Sequence, residues 1–310
     1  MLTVPQQFDL DQLCEWTAAR RGRPLYLRAM PDTEAAPTGV WIATDVEDLV
    51  LVETHTSALH RRHIAFHEIG HMLWEHGGAV GTLGGRRLLS HLTSPVVGHI
   101  LARGLVTDRQ EREAEMLALL LSSRAGGPAF VAPREPSRPA SGVAGGAGQG
   151  RGLAGGLITR GRDIVGEVMT TVRVLHRLRR LWGDLRSADR SIRIVRPGWT
   201  AMATPAGWRL LLLRRVVEIR DAQLALRSYA DLDVDGSSAA VTEARLLVRA
   251  CQAKLRGADP TVPCTPLTVA GGHRLSDEVA ALLALAAAWD EVSARTSERD
   301  LRSARRGGRR

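Results

Sequence analysis

The sequence predicts an α+β N-terminal domain over residues 1–125, then a flexible linker over residues 126–160 and an all-α domain over residues 161–297. Three observations predict this order. Three short strand-like segments alternate with helical patterns near the N-terminus. Residues 126–156 contain ten glycines and four prolines without apolar periodicity. The following residues carry helical periodicity throughout, and a basic tail over residues 298–310 ends the chain.

The composition limits the class of protein. A chain of 310 residues is long enough for two domains, and its 44% hydrophobic but only 4% aromatic content favours a helical core of Leu, Val and Ala. The three cysteines, Cys14, Cys251 and Cys264, are too scattered for a disulfide framework, which favours a cytoplasmic location. A transmembrane segment is not expected, because no apolar run approaches about 18 residues. A signal peptide is not expected either, because the first residues lack a basic start followed by an apolar core.

The N-terminal domain is expected to begin with a helix over residues 8–22, which Gly22 ends. Three strands are predicted at residues 25–30, 39–43 and 48–53, separated by turns at Pro31, Pro37 and Thr44. A small antiparallel sheet beside the next helix is the expected arrangement.

That next helix carries the most informative motif in the chain. The stretch reads His67-Glu68-Ile69-Gly70-His71, within an apolar pattern that predicts an uninterrupted helix over residues 58–76, capped at Thr56 or Ser57. Residues four apart lie on one helix face, so both histidines can bind one metal ion. Glu68 borders the same site, where it can act as a general base towards water.

A catalytic zinc site with two histidines needs a third protein ligand and one open position. A second helix, predicted over residues 108–123 with Asp108 as its cap, offers Glu111, Glu113 and Glu115. Spacing alone does not choose among them. His63 shares the face of His67 and His71. It is interpreted as a partly exposed helix residue rather than a contact of the site.

These stretches together resemble a known family. The combination of GRPLYL, GVWIATDVEDLVLVE, HRRHIAFHEIGHMLWEH and EREAEMLALLL is similar to the ImmA/IrrE-type metallopeptidase domain, over about residues 8–125. In that family a glutamate in a Glu-Ala-Asn-x-Phe-Ala-like signature is the third zinc ligand. The matching stretch here, EAEMLA, selects Glu113, and it departs from the signature at Glu115 and Leu117.

The resemblance implies a zincin-like fold, a Zn²⁺ cofactor bound by His67, His71 and Glu113, and catalysis by Glu68. It also implies an intracellular peptidase whose protein substrate is a helix-turn-helix regulator in a stress or mobile-element circuit. The alternative is a non-catalytic regulator that contains zinc and acts by binding a protein or nucleic acid.

The C-terminal domain carries four helical patterns, and the last, from residue 276 to about residue 293, is apolar nearly all round and is expected to be the central buried helix. The stretches RRVVEIRDAQLALRSY and LSDEVAALLALAAAW resemble a cytoplasmic domain of putative actinobacterial membrane transporters. A regulatory or docking role with a protein partner is therefore expected. The net charge of +9 is interpreted as an arginine-rich surface, and nucleic-acid binding is not favoured.

Overall fold

The computed structural model describes residues 8–30, 38–76, 97–101, 107–125, 153–189, 204–229, 237–260 and 271–307. In these ranges the chain is mostly helical, with one small sheet near the N-terminus. None of the described helices is both long and apolar enough to cross a membrane. Residues 126–152 of the predicted linker and residues 308–310 of the basic tail lie outside the described residues.

The elements follow one another in a simple order. They are α1 (Leu10–Arg21), β1 (Leu25–Ala29), β2 (Gly39–Thr44), β3 (Asp48–Val52), α2 (Ala58–Leu73), β4 (Val97–Leu101), α3 (Asp108–Arg124), α4 (Leu153–Ala188), α5 (Pro205–Leu226), a 3-10 turn (Arg227–Tyr229), α6 (Ala239–Leu255) and α7 (Leu275–Gly307). Helix α4 thus begins inside the segment predicted to be linker, and α7 extends into the predicted tail.

The predicted first helix is confirmed as α1. Asp9 and Gln12 form a reciprocal capping box at its start, and Gly22, with φ of 71°, ends it in the left-handed conformation.

The sheet is mixed rather than antiparallel, which corrects the sequence-based expectation. Its strand order is β1-β3-β2-β4, with β1 parallel to β3 and the other pairs antiparallel. The short turn after Thr44 joins β2 to β3 as a hairpin, but β1 pairs with β3 rather than with its sequence neighbour β2. Because β2 and β3 run in opposite directions, this choice of partner makes β1 parallel.

A buried carboxylate joins the segment before β1 to the start of β3. Asp48, at the start of β3, accepts hydrogen bonds from Arg21 Nε at 2.6 Å, Arg23 Nε at 2.7 Å and Trp41 Nε1 at 2.9 Å. Burial alone would raise the pKa of Asp48, but these donors outweigh it and lower the pKa. The end of α1 and the entry to β1 are therefore tied to the first residue of β3.

Helices α2 and α3 differ slightly from their predicted bounds. Ser57 caps α2, but the helix ends at Leu73 instead of continuing to His76, because Glu75 adopts a left-handed φ of 50°. The amide of His76 then donates to the carbonyl of His71 at 3.0 Å, which is the 6→1 bond of a Schellman ending. Thr107, not Asp108, caps α3 through a capping box with Gln110.

The helical half has its own core between α4, α5, α6 and α7. Helix α7 was predicted to be buried on all sides, but it is buried on one face only. Val279, Leu282, Leu285 and Trp289 face the core, whereas its alanines at 280, 284 and 287 face solvent. Alanine is small enough to be apolar and exposed at little cost, so the apolar run overstated the burial of this helix.

The two halves are in contact. Leu59 of α2 and Leu119 of α3 belong to the apolar core of the helical half, while a second core lies between the sheet, α1, α2 and α3. The amide of Leu59 donates to the carbonyl of Gly272 at 3.0 Å. The buried His60 ring contacts Asp221 of α5, Nε2 to Oδ1, at 3.2 Å. The first turn of α2 is thus anchored on the helical half.

This anchoring predicts the effect of Leu59→Ala. Leu59 is only 3% exposed, so its truncation should lower the free energy of unfolding by about 2–4 kcal/mol, as for other buried leucines. Urea unfolding followed by circular dichroism measures this. Leu255→Ala is the matched control in α6, where the side chain is 66% exposed and a change within about 0.5 kcal/mol is expected. Equal losses for the two variants would contradict the packing of α2 on the helical half.

Candidate metal centre

The two motif histidines meet at one point on α2. Nε2 of His67 lies 3.1 Å from Nε2 of His71, and the two rings are nearly perpendicular, at 74° with centroids 4.8 Å apart. This follows from their spacing of four residues on a helix. His71 is only 1% exposed, whereas His67 is partly open to solvent.

Helix α3 brings a carboxylate to this pair. Glu111 Oε2 lies 3.4 Å from Nε2 of His67, and Glu111 Oε1 lies 3.8 Å from Nε2 of His71. Each of the three side chains offers one ligand atom, and these atoms all lie within 4.8 Å of one another. Among the residues that the structure describes, this is the group that could hold a metal ion.

Glu113, which the family resemblance selects as the third ligand, lies elsewhere. Its Oε2 contacts Nε2 of His76 at 3.3 Å, and its Oε1 accepts a hydrogen bond from Nε of Arg109 at 2.8 Å. Two residues along a helix correspond to a rotation of about 200°. Glu111 faces the histidine pair of α2, so Glu113 points from a different side of α3. On that side it contacts His76, which lies in the turn after α2.

Glu115, one turn after Glu111, contacts two histidines of α2. Its Oε2 lies 3.3 Å from Nε2 of His63 and 3.4 Å from Nδ1 of His67. Burial alone would raise the pKa of Glu115, but the two imidazoles outweigh it and hold the pKa well below its usual range. Glu115 therefore contacts the ring nitrogen of His67 that points away from His71.

His63 is not the partly exposed helix residue that the sequence favoured. It is buried, and Nδ1 of its ring contacts Oγ of Ser122 at 3.2 Å. Its partners lie on α3, more than fifty residues further along the chain. The histidine spacing placed His63 on the correct face of α2, but it gave no indication that α3 would cover that face.

Glu68 lies beside the pair, between α2 and the sheet. It is 6% exposed, and its charge contributes to raising the pKa of His67. A Cβ added to Gly39 of β2 would come within 2.6 Å of Oε1 of Glu68. Only glycine at position 39 leaves room for this carboxylate, so the strand and the motif glutamate are matched in shape.

A glycine also controls the approach of the two helices. A Cβ on Gly70 would lie 3.2 Å from both the Cα and the carbonyl oxygen of Ala114. The two backbones therefore cross closely at this point, which lies between Glu111 and Glu115 on α3 and next to His71 on α2. The crossing allows short glutamate side chains to reach the imidazoles.

The two imidazoles carry one proton more than their neutral forms, and this proton belongs to His67. Burial by itself lowers the pKa of His67, but hydrogen bonds to Glu111 and Glu115 outweigh it and raise that pKa to about 10. Burial and the neighbouring charge of His67 lower the pKa of His71 to about 3. The proton therefore remains on His67 near neutral pH, and Nε2 of His71 accepts it as a hydrogen bond.

Sequence reasoning missed His76. The sequence places it at the end of the predicted metal helix and assigns it no role. Instead the left-handed Glu75 turns the chain back, and Nδ1 of His76 lies 2.9 Å from Nδ1 of His71. A histidine five residues after a motif histidine is a signal only if the helix is known to end between them.

Comparison with known proteins gives one match. The model of a protein family of unknown function, DUF6545, matches residues 167–292. No curated protein matches the chain, and no solved structure does. The matched residues all belong to the helical half, from α4 to α7, so the match is to the half of the chain that does not carry the histidine pair.

Proposed function

We propose that this chain is a zinc-dependent metallopeptidase, with zinc bound by His67, His71 and Glu111 and with Glu68 as the general base. The observation that carries the proposal is the convergence of two imidazole Nε2 atoms and one carboxylate within 4.8 Å. These residues come from the two helices that cross at Gly70 and Ala114.

The donor set suits zinc in both chemistry and spacing. Two imidazoles and one carboxylate, with a fourth position open, are the usual ligands of catalytic zinc. Tetrahedral bonds of about 2.0–2.1 Å place the ligand atoms about 3.3–3.4 Å apart. The two Nε2 atoms lie 3.1 Å apart, close to this requirement. Glu111 approaches them with different oxygens, Oε2 at 3.4 Å from His67 and Oε1 at 3.8 Å from His71. Glu113 enters the proposal through His76 rather than as a direct ligand.

When bound, zinc would polarise a peptide carbonyl and lower the pKa of water. The remaining task belongs to Glu68, which would accept a proton from that water and return it to the leaving amine. Its burial beside the sheet suits this role, because electrostatic interactions are stronger where bulk water is excluded. A purely structural metal site would need no base next to a ligand.

The substrate class rests on the family resemblance alone. The resemblance favours a protein substrate, namely a helix-turn-helix regulator, cleaved inside the cell. The helical half would dock or regulate, and its contact with the first turn of α2 supports a role close to the site. The alternative remains a zinc-containing regulator without peptidase activity.

The first prediction concerns zinc content and the third ligand. Purified protein should contain about one zinc per chain, and His67→Ala or His71→Ala should abolish binding, because each removes a ligand. Glu111→Ala should weaken binding more than Glu113→Ala or Glu115→Ala. Elemental analysis and competition with a chelating dye measure both effects. If Glu113→Ala has the largest effect, the ligand set implied by the resemblance is the correct one.

The second prediction concerns pH. Zinc needs both Nε2 atoms free of protons. His67 keeps an extra proton because its pKa is raised to about 10, while the pKa of His71 is lowered to about 3. Zinc affinity should therefore rise about tenfold per pH unit between about pH 6.5 and 8, with one proton released per ion. Chelator competition at several pH values measures the slope. An affinity independent of pH would mean that the pair holds no proton.

The third prediction separates catalysis from binding. Glu68→Gln should keep its zinc, since Glu68 is not a ligand, while cleavage should fall by at least about a hundredfold through loss of the base. A peptide library analysed by mass spectrometry provides the assay, and Glu15→Gln, an exposed carboxylate of α1, is the control. Undiminished cleavage would remove Glu68 from the mechanism. Zinc-loaded protein that cleaves nothing would favour the non-catalytic regulator.

A further inference from the structure

We infer that His76 and Glu113 form a hydrogen-bonded relay that positions His71, so that this ligand presents Nε2, and not Nδ1, to the metal. The inference rests on the proposed zinc site. It gives His76 the role of a positioning residue, and it gives Glu113 an indirect role in metal binding.

The direction of each hydrogen bond in the relay follows from the proposed metal ligand. Zinc bound at Nε2 of His71 would leave the proton of this imidazole on Nδ1, which then donates to Nδ1 of His76 at 2.9 Å. A ring nitrogen that accepts carries no proton, so His76 has its proton on Nε2 and donates it to the carboxylate of Glu113 at 3.3 Å.

The backbone is arranged to place His76 under His71. The amide of Glu75 donates to the carbonyl of Met72 at 3.2 Å, and the amide of His76 donates to the carbonyl of His71 at 3.0 Å. These are the two bonds of a Schellman ending, in which glycine is the usual left-handed residue. Here Glu75 takes that conformation with φ of 50°, which is unfavourable for a residue with a Cβ. His71 and His76 are thus joined twice, through the backbone and through their rings.

The other ligand has an independent partner. Nδ1 of His67 contacts Oε2 of Glu115 directly, at 3.4 Å, without an intervening histidine. Each imidazole of the pair therefore has a separate carboxylate of α3 behind it, Glu115 for His67 and Glu113 for His71. Glu111 is left to face the two Nε2 atoms. This assigns one task to each of the three glutamates that spacing alone could not distinguish.

The variants His76→Ala and Glu113→Ala test the relay. Each should weaken zinc binding by about 10- to 100-fold, the usual effect of losing a partner behind a ligand. Arg109→Ala is the matched control: Arg109 is 81% exposed and pairs with Glu113, so its loss removes that ion pair but leaves Glu113 on His76. It should change affinity by less than about threefold.

A second readout does not require zinc. In metal-free protein at about pH 8, long-range proton–nitrogen NMR should show His71 protonated at Nδ1 and His76 protonated at Nε2. In His76→Ala the hydrogen-bonded Nδ1 proton of His71 should lose its downfield shift. A merely structural role for His76 would not change this signal selectively. Thermal unfolding of the metal-free variants shows whether the fold is retained.

The outcomes are distinct. His71 protonated at Nε2 in the metal-free wild type would overturn the relay, as would unchanged zinc affinity in His76→Ala. Loss of zinc in Glu113→Ala but not in His76→Ala would make Glu113 a direct ligand, which also overturns the relay. If the wild type shows the expected tautomers but binds no zinc, the relay is supported and the proposed function fails.

Discussion

The close crossing of α2 and α3 at Gly70 and Ala114 is the constraint on which the candidate site depends. A Cβ at position 70 would lie only 3.2 Å from the backbone of α3, so the two helices are closer than a larger residue would comfortably allow. Glu111 and Glu115 of α3 can then meet the imidazoles of α2 directly. A wider separation would leave the same side chains facing solvent. The glycine inside the motif is therefore a packing residue as much as a spacer.

The helical half extends this constraint beyond the crossing. Leu59 on α2 and Leu119 on α3 both belong to its core, so the two helices that supply the candidate ligands are anchored on one apolar surface. Polar contacts of His60 with Asp221 and of the Leu59 amide with Gly272 fix the start of α2. Because cores are close-packed, a displacement of this surface would be transmitted to the crossing. The two halves are therefore coupled through packing.

The sequence predicted what depends on local spacing. The i,i+4 rule placed His67 and His71 on one face, and turn residues gave the first three strands to within one residue but not β4. Local spacing did not predict which elements contact one another. The orientation of α3 brings Glu111, not Glu113, to the pair, and that orientation follows from the Gly70 crossing. The position of His76 depends on Glu75 taking a conformation that glycine usually adopts, and the segment before the parallel β1 is joined to β3 at Asp48.

Charge explains why such a cluster suits a dication. Glu68, Glu111 and Glu115 surround two imidazoles that together carry one positive charge, the extra proton of His67. Three carboxylates around one positive charge leave the site negative, and grouped like charges are costly in a partly buried place. Replacing the single proton by a doubly charged ion brings the site closer to neutrality while both Nε2 atoms gain a partner. The pairings of Glu115 with His67 and of Glu113 with His76 preserve the orientation of the rings during that exchange.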